Sequence, residues 1–341
     1  IHFERNKCND CEMIISKCSA KEYIESVQPI FEGLLSEYYT ATLKTNTYTA
    51  YATNMNLATF YCLLKDSYFQ PYATIGNISS NSNNTENKTG SDNSDKNTKD
   101  SSGGSSNNIG ESSENSGGES QSSSNSSISG GTEGPESSGQ LSVPIESSIN
   151  GNFVAGEYEI DDKNPIQIIG FAAFNKDKLV GEFTGLDSIC FLIINNEFEE
   201  SILSIPSPFE EGRYMDLSVT SDKRTKCSVD LSSSSPRIHV TVYLTGFGQS
   251  MTEETSYSNE ESINQIRQSA EKYMKEKMQN FLYKTSKEYN SDICGFGRFA
   301  VKHYLTMEDW SDANWLDNYK NSTFDIDVSF NIKAGNIFSE T

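Results

Sequence analysis

The chain has 341 residues, long enough for two domains, but only 35% of them are hydrophobic, so part of it is expected to stay outside any packed core. Against 27 Lys and Arg stand 48 Asp and Glu, a formal net charge of −21. A surface of that sign repels phosphates, which excludes nucleic acid as a partner and disfavours bare anionic lipid headgroups.

The start, Ile1-His2-Phe3-Glu4-Arg5, has neither an initiator Met nor the apolar core of a signal peptide. We therefore expect the native chain to begin upstream. No stretch reaches the ~18 apolar residues that span a bilayer. The apolar patch Met13-Ile14-Ile15 suits a short buried strand, and Ser19-Ala20-Lys21-Glu22 has the serine and glutamate spacing that caps a helix. Helical spacing recurs in Phe31, Leu34, Leu35 and Tyr38, and again in Leu57, Phe60, Tyr61 and Leu64 before the break at Gln70-Pro71. Residues 1–76 thus read as a small, mainly helical module.

Residues 77–148 are dominated by Ser, Asn, Gly, Thr and acids, and no aromatic residue lies between Tyr72 and Phe153. Such a segment cannot bury enough apolar surface to offset its ordering entropy, and the expectation is a disordered linker.

From 149 to 341 both periodicities appear. Ile166 to Phe174 reads as a buried strand, Asn175-Lys176-Asp177-Lys178 as a turn and Leu179 to Phe183 as the returning strand of a hairpin. Strict alternation marks Met215, Leu217, Val219; Ile238, Val240, Val242, Leu244; and Phe324, Ile326, Val328, Phe330, Ile332. Between Glu260 and Tyr289, the residues Ile263, Ile266, Ala270, Met274, Met278, Phe281 and Leu282 step by three and four, which predicts a long amphipathic helix. The fold class is α+β: an antiparallel or mixed sheet packed by that helix.

Signals for chemistry are weak. Cys8-Asn9-Asp10-Cys11 has redox or zinc-ligand spacing, but no second closely spaced Cys/His pair completes a metal site, and a local disulfide is the alternative. The seven cysteines are odd in number and scattered; Cys62 and Cys190, set among apolar residues, are expected to be buried free thiols. His2, His239 and His303 stand apart, and Gly246-Phe247-Gly248-Gln249-Ser250 lacks the spacing of a nucleophile elbow. Gly295-Phe296-Gly297 lacks a phosphate-loop lysine and reads instead as a tight turn between helices, its glycines at positive φ and Phe296 an anchor in the core. The acid pairs Glu199-Glu200, Glu210-Glu211 and Glu253-Glu254 point apart in extended chain and suit solvated loops. Trp310 and Trp315, five apart, cannot share a helical stripe, so one is expected at the surface as a partner contact.

Specific residues resemble the Ger(x)C family, the C subunits of bacterial spore germinant receptors. The hairpin Phe171-Ala172-Ala173-Phe174-Asn175-Lys176-Asp177-Lys178-Leu179-Val180-Gly181 is similar to the family's "avFkkdklvG", and Asp292-Ile293-Cys294-Gly295-Phe296-Gly297 to its "DifgFG". Trp315, the strand Phe324 to Val328 and Ile332-Lys333-Ala334-Gly335 fit its closing pattern. The motif positions Phe174, Lys178, Gly181, Asp292, Gly295, Phe296, Gly297, Trp315 and Gly335 are expected to be structural. Phe3-Glu4-Arg5-Asn6, Ser16 to Lys21 and Asn56 to Pro71 resemble the family's middle domain, with Cys18 where the family has glycine and a long insert as a further departure.

The resemblance implies a non-enzymatic lipoprotein subunit whose first domain and lipidated cysteine lie upstream of residue 1. Such a subunit is held at the outer face of the spore inner membrane and assembles with A and B receptor subunits in sensing nutrients and triggering germination. It implies no catalytic residue, cofactor or metal. A secreted adhesive or carbohydrate-binding protein, two modules on a Ser/Asn/Gly linker, is the alternative.

Overall fold

The computed structural model describes residues 12–26, 46, 48–79, 149–159, 166–250 and 260–333. The CxxC pair, the spacing at 31–38, Glu253-Glu254, Gly335 and nearly all of the 77–148 segment lie outside the described residues. The described residues belong to one compact unit.

Among the described residues, two four-stranded sheets carry the fold. In the first, β1 (Ile14–Ile15) runs parallel to β2 (Tyr72–Ile78), which pairs antiparallel with β3 (Ile166–Asn175), and β3 with β4 (Lys178–Phe183). The last pair is the expected hairpin, its two-residue turn entered at Lys176 with φ +58°. The second sheet orders β5 (Glu200–Pro206), β6 (Tyr214–Asp230), β7 (Arg237–Ser250) and β8 (Thr323–Lys333). Here β5–β6 and β6–β7 are antiparallel but β7–β8 is parallel, because the long helix and the turns after it carry the chain back before β8 begins. The sheet is therefore mixed.

Helix α1 (Ala20–Glu25) starts at Ser19 with the predicted capping box, and α2 (Leu57–Leu63) is capped by Asn56. On α2 the stripe is rotated from expectation. Leu63 is buried while Leu57, Tyr61 and Cys62 face solvent, so Cys62 is an exposed thiol and not a core residue. Cys190 is fully buried, as expected.

At the centre lies α3 (Gly185–Asn195), which touches β3, β4, β6, β7 and α4 (Glu260–Tyr283). Its residues 185–194 are all buried, so the helix has no polar face and no helical periodicity to read in the sequence. Thr184 and Asp187 form its capping box, and Asn196 ends it in the left-handed region at φ +62°. Along α4, Ile266, Ala270, Met274, Met278, Phe281 and Leu282 face the core and pack against β8 and β5. Each fully buried side chain of this size contributes about 1.5–3 kcal/mol, Ala270 less.

Candidate functional site

The helix α4 does not run to Tyr289. It loosens into a π-helical turn over Lys284–Glu288, and the loop that follows, 289–297, gathers most of the singled-out residues. Three short helices complete the surround: α5 (Gly297–Ala300), α6 (Met307–Ala313) and α7 (Trp315–Asn318).

The centre of this knot is Asp292, fully buried. Its Oδ1 accepts the Phe296 N–H at 2.9 Å, and its Oδ2 accepts the Gly297 N–H at 2.8 Å and the Trp315 Nε1–H at 2.8 Å. Its carbonyl accepts the Gln70 N–H at 3.0 Å. Burial pushes the carboxyl up to about 6, with the three donors and the Arg298 guanidinium pulling the other way. Asp292 thus joins the start of α5 and the start of α7 through its carboxylate, and the segment before β2 through its backbone carbonyl.

The glycines fit for separate reasons. Gly295 adopts φ +67°, a conformation that costs an L side chain roughly 1–2 kcal/mol. Gly297 does not have positive φ, contrary to expectation. It is small because a Cβ there would lie 2.5 Å from the Tyr68 backbone oxygen and 2.8 Å from the Trp315 ring. Gly181 of β4 faces Tyr289, whose ring atoms would stand 2.3 Å from a Cβ.

The hairpin is tied to the same loop through backbone groups. Ser291 Oγ donates to the Phe174 carbonyl at 2.6 Å, Asn175 Nδ2 to the Asn290 carbonyl at 3.0 Å, and the Tyr289 hydroxyl to the Glu182 carbonyl at 3.3 Å. Gln70 Oε1 accepts the Lys176 N–H at 2.7 Å, fixing the hairpin tip.

An aromatic run backs the knot. Trp310 and Trp315 are both buried and stacked with ring centres 6.2 Å apart, followed by Tyr319, Phe296 and Phe324. The expectation of one exposed tryptophan is overturned. Asn314, left-handed at φ +45°, ends α6 and begins α7 between them, so a spacing of five does not lie on one helix and both rings turn inward.

Phe174, Gly181, Asp292, Gly295, Phe296, Gly297 and Trp315 therefore converge on one loop. Lys178 is exposed at the start of β4, apart from it. Sequence reasoning missed Gln70, Tyr289 and Ser291, whose parts in the knot run through backbone carbonyls and amides that leave no side-chain pattern.

Chemically, the knot is closed. A buried carboxyl near pH 6 has the acidity of a general acid or base, but its oxygens are engaged by protein donors and the residue has no exposed surface. Cys294 and Tyr319 beside it are held above their ordinary values by burial, hence protonated and inert.

A second feature is a cleft of about 300 Å³ between the start of α3 and the end of α4, lined in part by Asn152, Asp187, Lys277, Lys284 and Glu288. There the Lys284 ammonium meets the Asp187 carboxylate at 2.8 Å. The pair closes the polar end of α3 rather than arranging a nucleophile beside a base. Among the described residues no group of three His, Cys, Asp or Glu side chains could hold a metal ion, and no helix is long and apolar enough to cross a membrane.

Residues 169–335 match the family described as "Spore germination B3/GerAC like, C-terminal". That span holds the hairpin, α3, α4, the second sheet and the knot. A solved structure, "Crystal Structure of the GerBC protein", is similar over 50% of this chain and 53% of its own, with 15% sequence identity and a TM-score of 0.41. The chain thus spans about half the length of that solved chain. No curated protein matches it.

Proposed function

Through residues 169–335 the chain belongs to the GerAC-like family of spore germination proteins, and on that premise we propose that it is the C subunit of a spore germinant receptor. The single observation that carries the reading is the family match. The matched span includes the hairpin, α4 and the loop around Asp292.

In this reading the subunit supplies surface and assembly, not chemistry. Residues 149–341 are its C-terminal domain and 1–76 what is present of the family's middle domain, the two sharing one sheet through the β2–β3 pair, and 77–148, nearly all of it past the end of β2, is the linker between them. A lipid on an upstream cysteine holds it at the outer face of the spore inner membrane, where it assembles with an A subunit and a transporter-like B subunit. The acidic surface favours this arrangement: a chain of −21 is not drawn to bare anionic headgroups, so residence there needs an anchor or protein partners.

The test is affinity purification of the tagged full-length native protein from dormant-spore inner membranes in mild detergent. Recovery of A-type and B-type subunits in comparable amounts is the expected result. Recovery from the soluble fraction without them would sink the assignment.

A further inference from the structure

Strand β8 closes one side of the second sheet, with β7 parallel to it on the inner side and, among the described residues, no strand on the outer side. In a parallel pair every second residue directs its N–H and C=O to the neighbour, and the residues between direct theirs away. Two bonds fix the phase. The Thr323 N–H donates to the carbonyl of Pro236, just ahead of β7, at 2.9 Å. The Phe330 N–H instead donates to Glu271 Oε1 of α4 at 3.0 Å.

Phe324, Ile326, Val328, Phe330 and Ile332 therefore present their backbone groups outward along an 11-residue strand without proline. Their side chains lie on the core face, where Phe324, Val328 and Ile332 are only half-buried. Long edges of this kind template pairing with another strand unless something shields them. Among the described residues, the group bonded to that outward backbone is the Glu271 carboxylate.

We propose that the outer edge of β8 is a pairing surface for β8 of a second copy of this chain, antiparallel about Ser329, and that Glu271 gates it. The occupant follows from the charge pattern. Asp325, Asp327, Ser329, Asn331 and Lys333 share the solvent face and are exposed. A two-fold axis at Ser329 sets Asp325 of each copy directly opposite Lys333 of the other, and Asp327 opposite Asn331. Opposite charges so placed stabilise a strand pair and like charges oppose it. An axis at Asp327 would face the two Asp327 carboxylates, an axis at Val328 would pair no opposite charges, and an axis at Phe330 would set Asp327 opposite Lys333 over a shorter overlap, which favours the first register. Pairing about Ser329 also brings Val328 opposite Phe330 and Ile326 opposite Ile332, covering half-buried apolar surface on the core face. The Phe330 N–H must then leave Glu271 for the Val328 carbonyl of the other copy, so the carboxylate and the second copy compete for one donor.

The experiment is sedimentation velocity of the whole 341-residue chain at 0.15 M salt, where a screening length of about 8 Å limits repulsion between two chains of −21. Glu271→Ala is expected to strengthen dimer formation at least tenfold over the parent, while Glu271→Gln, which keeps an acceptor, stays near the parent. In the Glu271→Ala background, Val328→Pro should return the chain to monomer. Its N–H points outward, so proline there removes no bond to β7. Asp325→Lys should weaken the same dimer, and adding Lys333→Asp should restore it, with circular dichroism confirming the fold of each variant. A Glu271→Ala chain that sediments as the parent does, a segment of its own chain covering the edge, or a dimer indifferent to both Val328→Pro and the charge exchange would overturn the proposal.

Discussion

Replacing Asp292 by Asn probes the knot through its dependence on pH. The carboxyl is held up at about 6 in the fold against an ordinary 3.8. The folded protein thus binds a proton that the unfolded chain has released, and the stability from this site is full below 3.8 and is lost as pH rises through 6. Between pH 5 and pH 7.5 the linkage amounts to about 1–1.5 kcal/mol, a factor of roughly ten in the folding equilibrium. Asn cannot titrate, and its amide cannot accept at both positions where Asp292 takes the Phe296, Gly297 and Trp315 donors. The variant should be less stable than the parent throughout, by about 1–3 kcal/mol for one orphaned buried donor. Its deficit should be larger at pH 5 than at pH 7.5 by the amount above. Urea unfolding of both proteins at a series of pH values measures this, since every other titrating group is common to the two and cancels in the difference. A deficit that is constant with pH, or that grows as pH rises, refutes the assignment of the titration to Asp292.

Gly181→Ala should cost about 1–3 kcal/mol by driving a methyl into the Tyr289 ring, and Tyr289→Ala should relieve most of it. A double-mutant cycle by urea unfolding reads that coupling, and additive losses would separate the two residues. Gly295→Ala should cost roughly 1–2 kcal/mol through its φ of +67°, measured as a lowered thermal midpoint. In native protein a thiol reagent should modify Cys62 quickly, whereas Cys190 and Cys294, which burial keeps protonated, should react only on unfolding; mass spectrometry of the labelled peptides tells them apart.

The elements that could be read in advance are those with one buried and one exposed face. The hairpin around Lys176-Asp177, the stripe from Ile266 to Leu282 and the alternation of β8 all write their environment into the sequence at period 3.6 or 2. Helix α3 has no such record because all its sides are buried, and β2, buried at six of its seven residues, likewise has no polar alternation. The parallel pairing of β7 with β8 depends on where the chain returns after α4, which side-chain pattern does not encode. At the knot, the motif residues were legible only as a resemblance. Nothing in Asp292-Ile293-Cys294 announces a buried carboxylate, and its donors come from Phe296, Gly297 and Trp315, of which two act through the backbone. Cys62 misled because apolar neighbours in sequence, Phe60 to Leu64, occupy opposite sides of one helix turn.

The most direct test of the account is germination of spores in which the native gene is deleted, followed as loss of refractility after single germinants are added, with the full-length gene restored in parallel. A receptor subunit predicts that the response to a particular germinant is lost and returns on complementation, while germination by agents that bypass receptors stays normal. An unchanged response to every germinant, in spores that also lack the other receptors, would contradict it.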